Sequence, residues 1–401
     1  MRIWHACQLG QVTANELTAG VEALRLRHRV EDAKPGLGVA AGGRGPLPAA
    51  VVGGQVVVVQ VLGAVAGGTL ARRLGLQPLL WLTAAGNGLS QLALAASLWV
   101  MPALAFPVIL AGTALLGWSF GLGGAPLNSY PPRFFPRRAP AAVVALHTLL
   151  GLGLMVGPLL ADGFGRAGWW IGFPLSLLGF SALLALAAAI VRLPSEPSGE
   201  AERRIETNPP LTSGAFWIFA AIAVLYAFAE GTFSNWAVIY LREAKALSAM
   251  VAALALSVFW GAMVVGRLLV AVLVVRVAPL TIWLALPVLM IAAFLLLPGA
   301  STPVLGLGLF ALAGLACSAF FPLTITLASE WFPEHVAWVS SMLIAALMVG
   351  VGLGSFVIGP LREWLSLEQI YQFSVAYPVA VIGLALWLAG SRRRLAVEVR
   401  V

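Results

Sequence analysis

One carboxylate stands inside a long apolar run. In AFWIFAAIAVLYAFAEGTFSNWAVIYL (215–241) every other residue is apolar, small or uncharged, yet position 230 is glutamate. About 20 apolar residues cross a bilayer, and Glu230 falls within a turn or so of the middle of the run. An acid at that depth is costly and faces a polar cavity, a partner or an ion path. A carboxylate that gains and loses water there can carry protons, because desolvation favours its uncharged form. The other reading makes Glu230 a structural hydrogen-bond partner for a neighbouring helix; the functional one is preferred. Tyr226 lies four residues before Glu230 and Ser234 four after, so the three share one helical face. Gly231 and Thr232 loosen the helix beside it. Asn235 and Trp236 end the face, where the indole either stacks on a sugar or anchors the helix at the interface.

Other side chains invite a role. Asn128 follows Pro126 at the end of a span with Gly117, Gly121 and Gly124. It is a candidate for substrate binding or for steadying a gate, although capping a helix end or sitting in a loop is the plainer expectation. Arg267 is expected to snorkel from its span or pair in a loop. Glu330 and Glu334 stand where an acid can pair with basic loop residues of the other half, as a gate, or remain solvated. Arg72, Arg73 and Arg267 belong to the same gating and loop group, and His147 is expected at an interface. No run holds a nucleophile–base pair, a histidine–acid metal set or a phosphate loop, so neither an enzyme nor a cofactor or metal protein is expected.

These residues sit in an exceptionally apolar chain. Of its 401 residues 60% are hydrophobic and 10% charged, against about 25% charged in soluble domains, and mean hydropathy is +0.95. The class is an all-α polytopic membrane protein. The net charge of +8 lies in short segments between apolar runs, which fits the positive-inside bias rather than nucleic-acid binding. Cys7 and Cys317 are far apart and form no framework.

Apolar runs at 50–70, 78–99, 103–123, 141–161, 168–191, 215–240, 248–272, 279–298, 303–327, 337–360 and 370–390 make eleven expected spans. Loops on one side carry Arg72, Arg73, Arg133, Arg137, Arg138, Arg192, Arg203, Arg204, Arg276, Arg392, Arg393 and Arg394. The other side has only Arg166, Arg242, Lys245 and Arg362. The arginine-rich side and the C-terminus are therefore placed in the cytoplasm, and the protein in the cell membrane, or the inner membrane of a two-membrane cell. Segment 192–214, rich in proline and mixed charge, reads as a linker between bundles at 50–191 and 215–390, with a tail at 391–401.

The halves look duplicated. PLNSYPPRFFP (126–136) parallels PLTITLASEWFP (322–333), and GLGLMVGPL (151–159) parallels VGLGSFVIGPL (351–361). Two pairs in the same order suggest a parallel repeat of about 200 residues, as in secondary transporters. The repeat puts the counterpart of the 215–240 span near 16–41, yet residues 1–49 are polar and hold no span. A misassigned gene start or frameshift is the favoured expectation; a true eleven-span protein and a divergent amphipathic helix are the alternatives.

Two bundles, a central loop and these motifs resemble the major facilitator superfamily over about 50–390. GGTLARRLG (67–75) is similar to the family's glycine-x-leucine-x-aspartate-arginine-x-glycine loop through Gly68, Leu70, Arg73 and Gly75, with Arg72 at the aspartate position. Gly266-Arg267 is a weaker copy. The pattern Glu230, Asn235, Trp236, Tyr240, Leu241 resembles the fucose-permease-like branch of sugar and small-solute symporters. Gly157-Pro158 resembles the fifth-helix element of drug antiporters, but the extended glycine series does not follow. The resemblance implies twelve helices and a monomeric secondary transporter that moves a small solute, with protons, by alternating access. Efflux of amphiphilic drugs is the alternative, as is a non-transporting membrane protein if the first helix is truly absent.

Overall fold

The computed structural model describes residues 47–191, 193 and 208–398; segment 1–46, where the repeat calls for a further helix, lies outside the described residues. All regular structure among the described residues is helical. The first group comprises α1 (Leu47–Leu74), α2 (Leu76–Ala96), α3 (Pro102–Phe134), α4 (Ala139–Arg166) and α5 (Gly172–Ile190). The second comprises α6 (Gly214–Asn235), α7 (Ala249–Leu273), α8 (Pro279–Leu296), α9 (Pro303–Cys317), α10 (Phe320–Trp331), α11 (Val336–Leu361), α12 (Leu367–Phe373) and α13 (Ala376–Glu398). Helices suit such a sequence because, without water, each backbone donor must find its acceptor within its own segment.

Ten helical stretches among the described residues are long and apolar enough to cross a membrane, α9–α10 and α12–α13 each forming one. The remaining expected span, 141–161, falls on α4, whose 28 residues reach about 42 Å at 1.5 Å per residue. Three boundaries differ from the sequence reading. α3 continues through Pro126, Pro131 and Pro132 to Phe134, a full three turns beyond the apolar run. After α6 the chain makes one more turn, Ala237–Ile239, and a π-helical turn, Tyr240–Ala244. The 303–327 run is broken at Ser318 and Ala319.

That last break has a local cause. Pro322 has no N–H, so the carbonyl of Ser318, four residues earlier, has no helical donor. The chain turns at Ala319 and starts again as α10.

The paired motifs at 126–136 and 322–333 end in the same backbone geometry. α3 ends at Phe135 with φ −128° and ψ 61°, and a 3₁₀ turn, Pro136–Arg138, leads into α4. α10 ends at Phe332 with φ −128° and ψ 62°, and the turn Pro333–His335 leads into α11.

Lipid offers no hydrophobic drive between helices, so close backbone packing holds them. α1 and α3 meet through Gly63 and Gly67 on one helix and Gly117 and Gly121 on the other. A Cβ at Gly63 would lie 2.4 Å from the Trp118 oxygen, and one at Gly121 2.3 Å from the Gln60 oxygen. The two groups meet where α1 runs along α11 and α4 along α7. Gly68 of α1 faces Trp338 and Ser341 of α11, and further along Val57 faces Gly352. The second group is packed by aromatics: Phe233 stacks on Phe294 and Tyr240 on Tyr371, each with ring centres 4.0 Å apart.

Candidate functional site

The broken helix supplies the site's frame. The Ser318 carbonyl left free by Pro322 accepts from Arg267 Nε at 2.8 Å. The Cys317 carbonyl, at the end of α9, accepts from the Tyr226 hydroxyl at 2.8 Å. Tyr226 in turn brings its hydroxyl beside the Glu230 carboxyl, one helical turn further along α6. Three polar side chains thus converge on one irregular turn, the arrangement in which non-helical backbone is tolerated at membrane depth.

Tyr226 is held from every side. It is 1% exposed, and its ring stacks on Phe320 at 5.2 Å and runs nearly parallel to Phe321. Its hydroxyl and faces are therefore occupied by protein, and it acts here as the support of Glu230. Glu230 itself remains partly accessible between buried Ala229 and Gly231. Ser234 shares the face, but its hydroxyl donates back to the Glu230 main-chain oxygen at 2.9 Å and to Asn235 Oδ1 at 3.1 Å. At the end of the face Trp236 is half-buried, with the Arg362 guanidinium 5.6 Å over its ring. Arg362 is ion-paired to Glu243.

Three expectations are corrected. Arg267 does not snorkel to a loop. It is 8% exposed, donates to Ser318, to the His147 main-chain oxygen at 2.6 Å and to Met263 Sδ at 3.1 Å. Room for it exists because Gly151 has no side chain: a Cβ there would lie 2.8 Å from Arg267 Nη1. His147 is not interfacial. It is buried in α4, its Nε2 3.1 Å from Asn128 Oδ1, with its ring edge-on to Phe321. Asn128 neither caps a helix nor sits in a loop, because α3 continues past it. It is buried and donates to the Gly124 oxygen at 2.9 Å.

Together these residues form a polar chain across the molecule. It runs from Asn128 on α3 through His147 on α4 to Arg267 on α7, then over the Ser318–Cys317 turn to Tyr226 and Glu230 on α6. Glu230 and Arg267 are near enough for each charge to act on the other, but among the described residues Arg267 forms no ion pair. The sequence reading missed His147, Cys317, Ser318 and Met263 as members. One signal was present: a proline four residues after Ser318, opposite an arginine inside an apolar run.

Of the gating and loop group, only Arg267 lies at this site. Arg73 and Glu330 are exposed at the ends of α1 and α10, and Arg72 is partly buried. They share the arginine-rich end of the molecule with Arg137, Arg138 and Arg276.

A family model described as Major Facilitator Superfamily matches residues 47–310. A glucose/mannose transporter, GlcP, of Bacillus subtilis is 25% identical over 260 residues; the match spans 61% of this chain and 63% of that protein's length. Among solved structures, the E. coli fucose:proton symporter FucP aligns with a TM-score of 0.68 and 14% identity over 84% of this chain and 90% of the other. The proton:xylose symporter XylE, bound to 6-bromo-6-deoxy-D-glucose, aligns with a TM-score of 0.68 and 17% identity over 85% of each chain.

Proposed function

The chain belongs to the major facilitator superfamily, and from that membership we propose that it is a proton-coupled secondary transporter of a small polar solute, with a sugar as the first class to test. Two helical bundles rock about a central site and open it to each side in turn. The arginine-rich end faces the cytoplasm of the cell membrane, and the protein works as a monomer. The observation that carries the reading is Glu230: an acidic residue on a membrane helix that its neighbours do not wholly enclose, with the Tyr226 hydroxyl beside its carboxyl and Arg267 within electrostatic reach. Such an acid can exchange a proton with whichever side is open.

Glu230 is the coupling acid in this scheme, Asn235 and Trp236 flank the solute path, and Asn128, Tyr226 and Ser234 shape the site from behind. The solute class is supported by the sugars named for GlcP, FucP and XylE. The test is uptake of labelled glucose, fucose and xylose into proteoliposomes with an imposed pH gradient. Glu230→Gln is expected to abolish accumulation against a gradient while exchange of internal for external sugar continues. Undiminished uphill uptake by the variant would remove Glu230 from the mechanism. Failure to move any sugar, with export of amphiphilic dyes instead, would favour drug efflux.

A further inference from the structure

We infer that Arg267 is the positioning residue that ties the seam between the two helical groups to the protonation of Glu230. The inference rests on Glu230 being the coupling acid. Arg267 belongs to α7 of the second group, but one of its hydrogen bonds crosses to the first group, to the main-chain oxygen of His147 on α4. This cation inside a span has backbone oxygens and a thioether sulfur for partners instead of a carboxylate. Intramembrane arginines usually pair with an acid or with backbone carbonyls. Here Glu230 is an acid within electrostatic reach, and among the described residues it forms no ion pair with Arg267.

The arrangement therefore has two settings. With Glu230 uncharged, Arg267 gains nothing by leaving His147, and the seam stays closed at this point. When the Glu230 proton passes to water, the carboxylate attracts the guanidinium. A carboxylate adds charge–charge attraction in a low-dielectric interior that a neutral carbonyl oxygen cannot offer, so Arg267 is drawn from the His147 oxygen and the seam loses its tie. The ionisable groups around this exchange come from several helices. Tyr226 and Glu230 lie on α6, Arg267 on α7, Cys317 at the end of α9 and His147 on α4. α11 presents Gly350 and Gly354 to α6, α10 brings Phe320 and Phe321, and Tyr377 of α13 meets Phe228.

The seam can be read without knowing the solute. Arg138, before α4, and Arg276, after α7, are both exposed. Spin labels on R138C and R276C, in the full chain with Cys7→Ser, report the spacing of the two groups at that end. Between pH 5.5 and pH 8.5 the ratio of short to long distances is expected to fall by roughly tenfold or more. Glu230→Gln is expected to hold the short distance at both pH values. Arg267→Met is expected to abolish the pH dependence, and Gly151→Ala to do the same with the charge retained, since the added methyl displaces the guanidinium. If Arg267→Met does not fold, Gly151→Ala decides the matter. A wild-type pH response in either variant overturns the inference, as does a wild-type protein whose distances ignore pH. Should Glu230→Gln lose uphill uptake while Arg267→Met keeps the response, the coupling acid stands and the role given to Arg267 falls. Intact uphill uptake in Glu230→Gln would instead bring down the reading on which it rests.

Discussion

At the scale of single residues, Tyr226 separates support from contact. Its hydroxyl is bonded to the Cys317 oxygen and its ring is enclosed by Phe320 and Phe321. Tyr226→Phe preserves the stack but leaves the Cys317 oxygen without its donor and removes the hydroxyl beside Glu230. Hydrogen bonds between membrane helices are worth about 1 kcal/mol, so the purified variant is expected to unfold at a slightly lower temperature. Its transport rate should show a displaced pH profile. A uniform loss of rate at every pH would mean that Tyr226 serves the fold alone. The alignment of Tyr226, Glu230 and Ser234 was legible in the sequence because it depends only on helical spacing within one run. The partners of Arg267 were not: His147 lies 120 positions away and Ser318 51 positions away, and both contribute main-chain oxygens, which no side-chain pattern reveals.

At the scale of elements, the break between α9 and α10 organises the site. The apolar run at 303–327 reads as a single helix, since hydropathy does not register a missing N–H. Pro322 interrupts it, and the freed Ser318 oxygen becomes the acceptor for Arg267. Pro322→Ala restores a donor to the main chain. Alanine inside a helix is favoured over proline by up to about 3 kcal/mol, so the variant is expected to be at least as heat-stable as the wild type. Its Ser318 oxygen would now be shared with the backbone, the hold on Arg267 would loosen, and uphill transport should fall at least several-fold. Stability and transport falling together would show that the break is needed for folding rather than for the site. The same trade, in which a site keeps a locally unfavourable backbone for its chemistry, is common in natural proteins. α3 makes the complementary point: three prolines in its second half suggested that it ends early, yet it continues to Phe134 and carries Asn128 into the interior.

At the scale of the whole molecule, the two groups of helices touch along two seams, and alternating access requires at least one of them to part. The α4–α7 seam carries the polar tie of Arg267 to His147. The α1–α11 seam is made of small residues: Gly68 against Trp338 and Ser341, and Gly124 of α3 against Ile344. Small residues let helices slide or separate without breaking an interlocked surface, and Gly68 belongs to the stretch of α1 that resembles the family's signature motif. A covalent bond here tests whether this seam moves. A Cβ at Gly68 would lie 3.3 Å from the Ser341 Cβ, close to the roughly 3.5–4.5 Å spanned by a disulfide. Gly68→Cys with Ser341→Cys should therefore cross-link on mild oxidation, while Cys317, wholly buried, stays apart. If the seam opens during each cycle, the oxidised double variant will bind solute yet fail to transport it, and reduction will restore the rate. Each single variant should transport under both conditions. Full transport by the cross-linked protein would place the whole motion at the α4–α7 seam, where the polar tie of Arg267 to His147 would then be broken in each cycle.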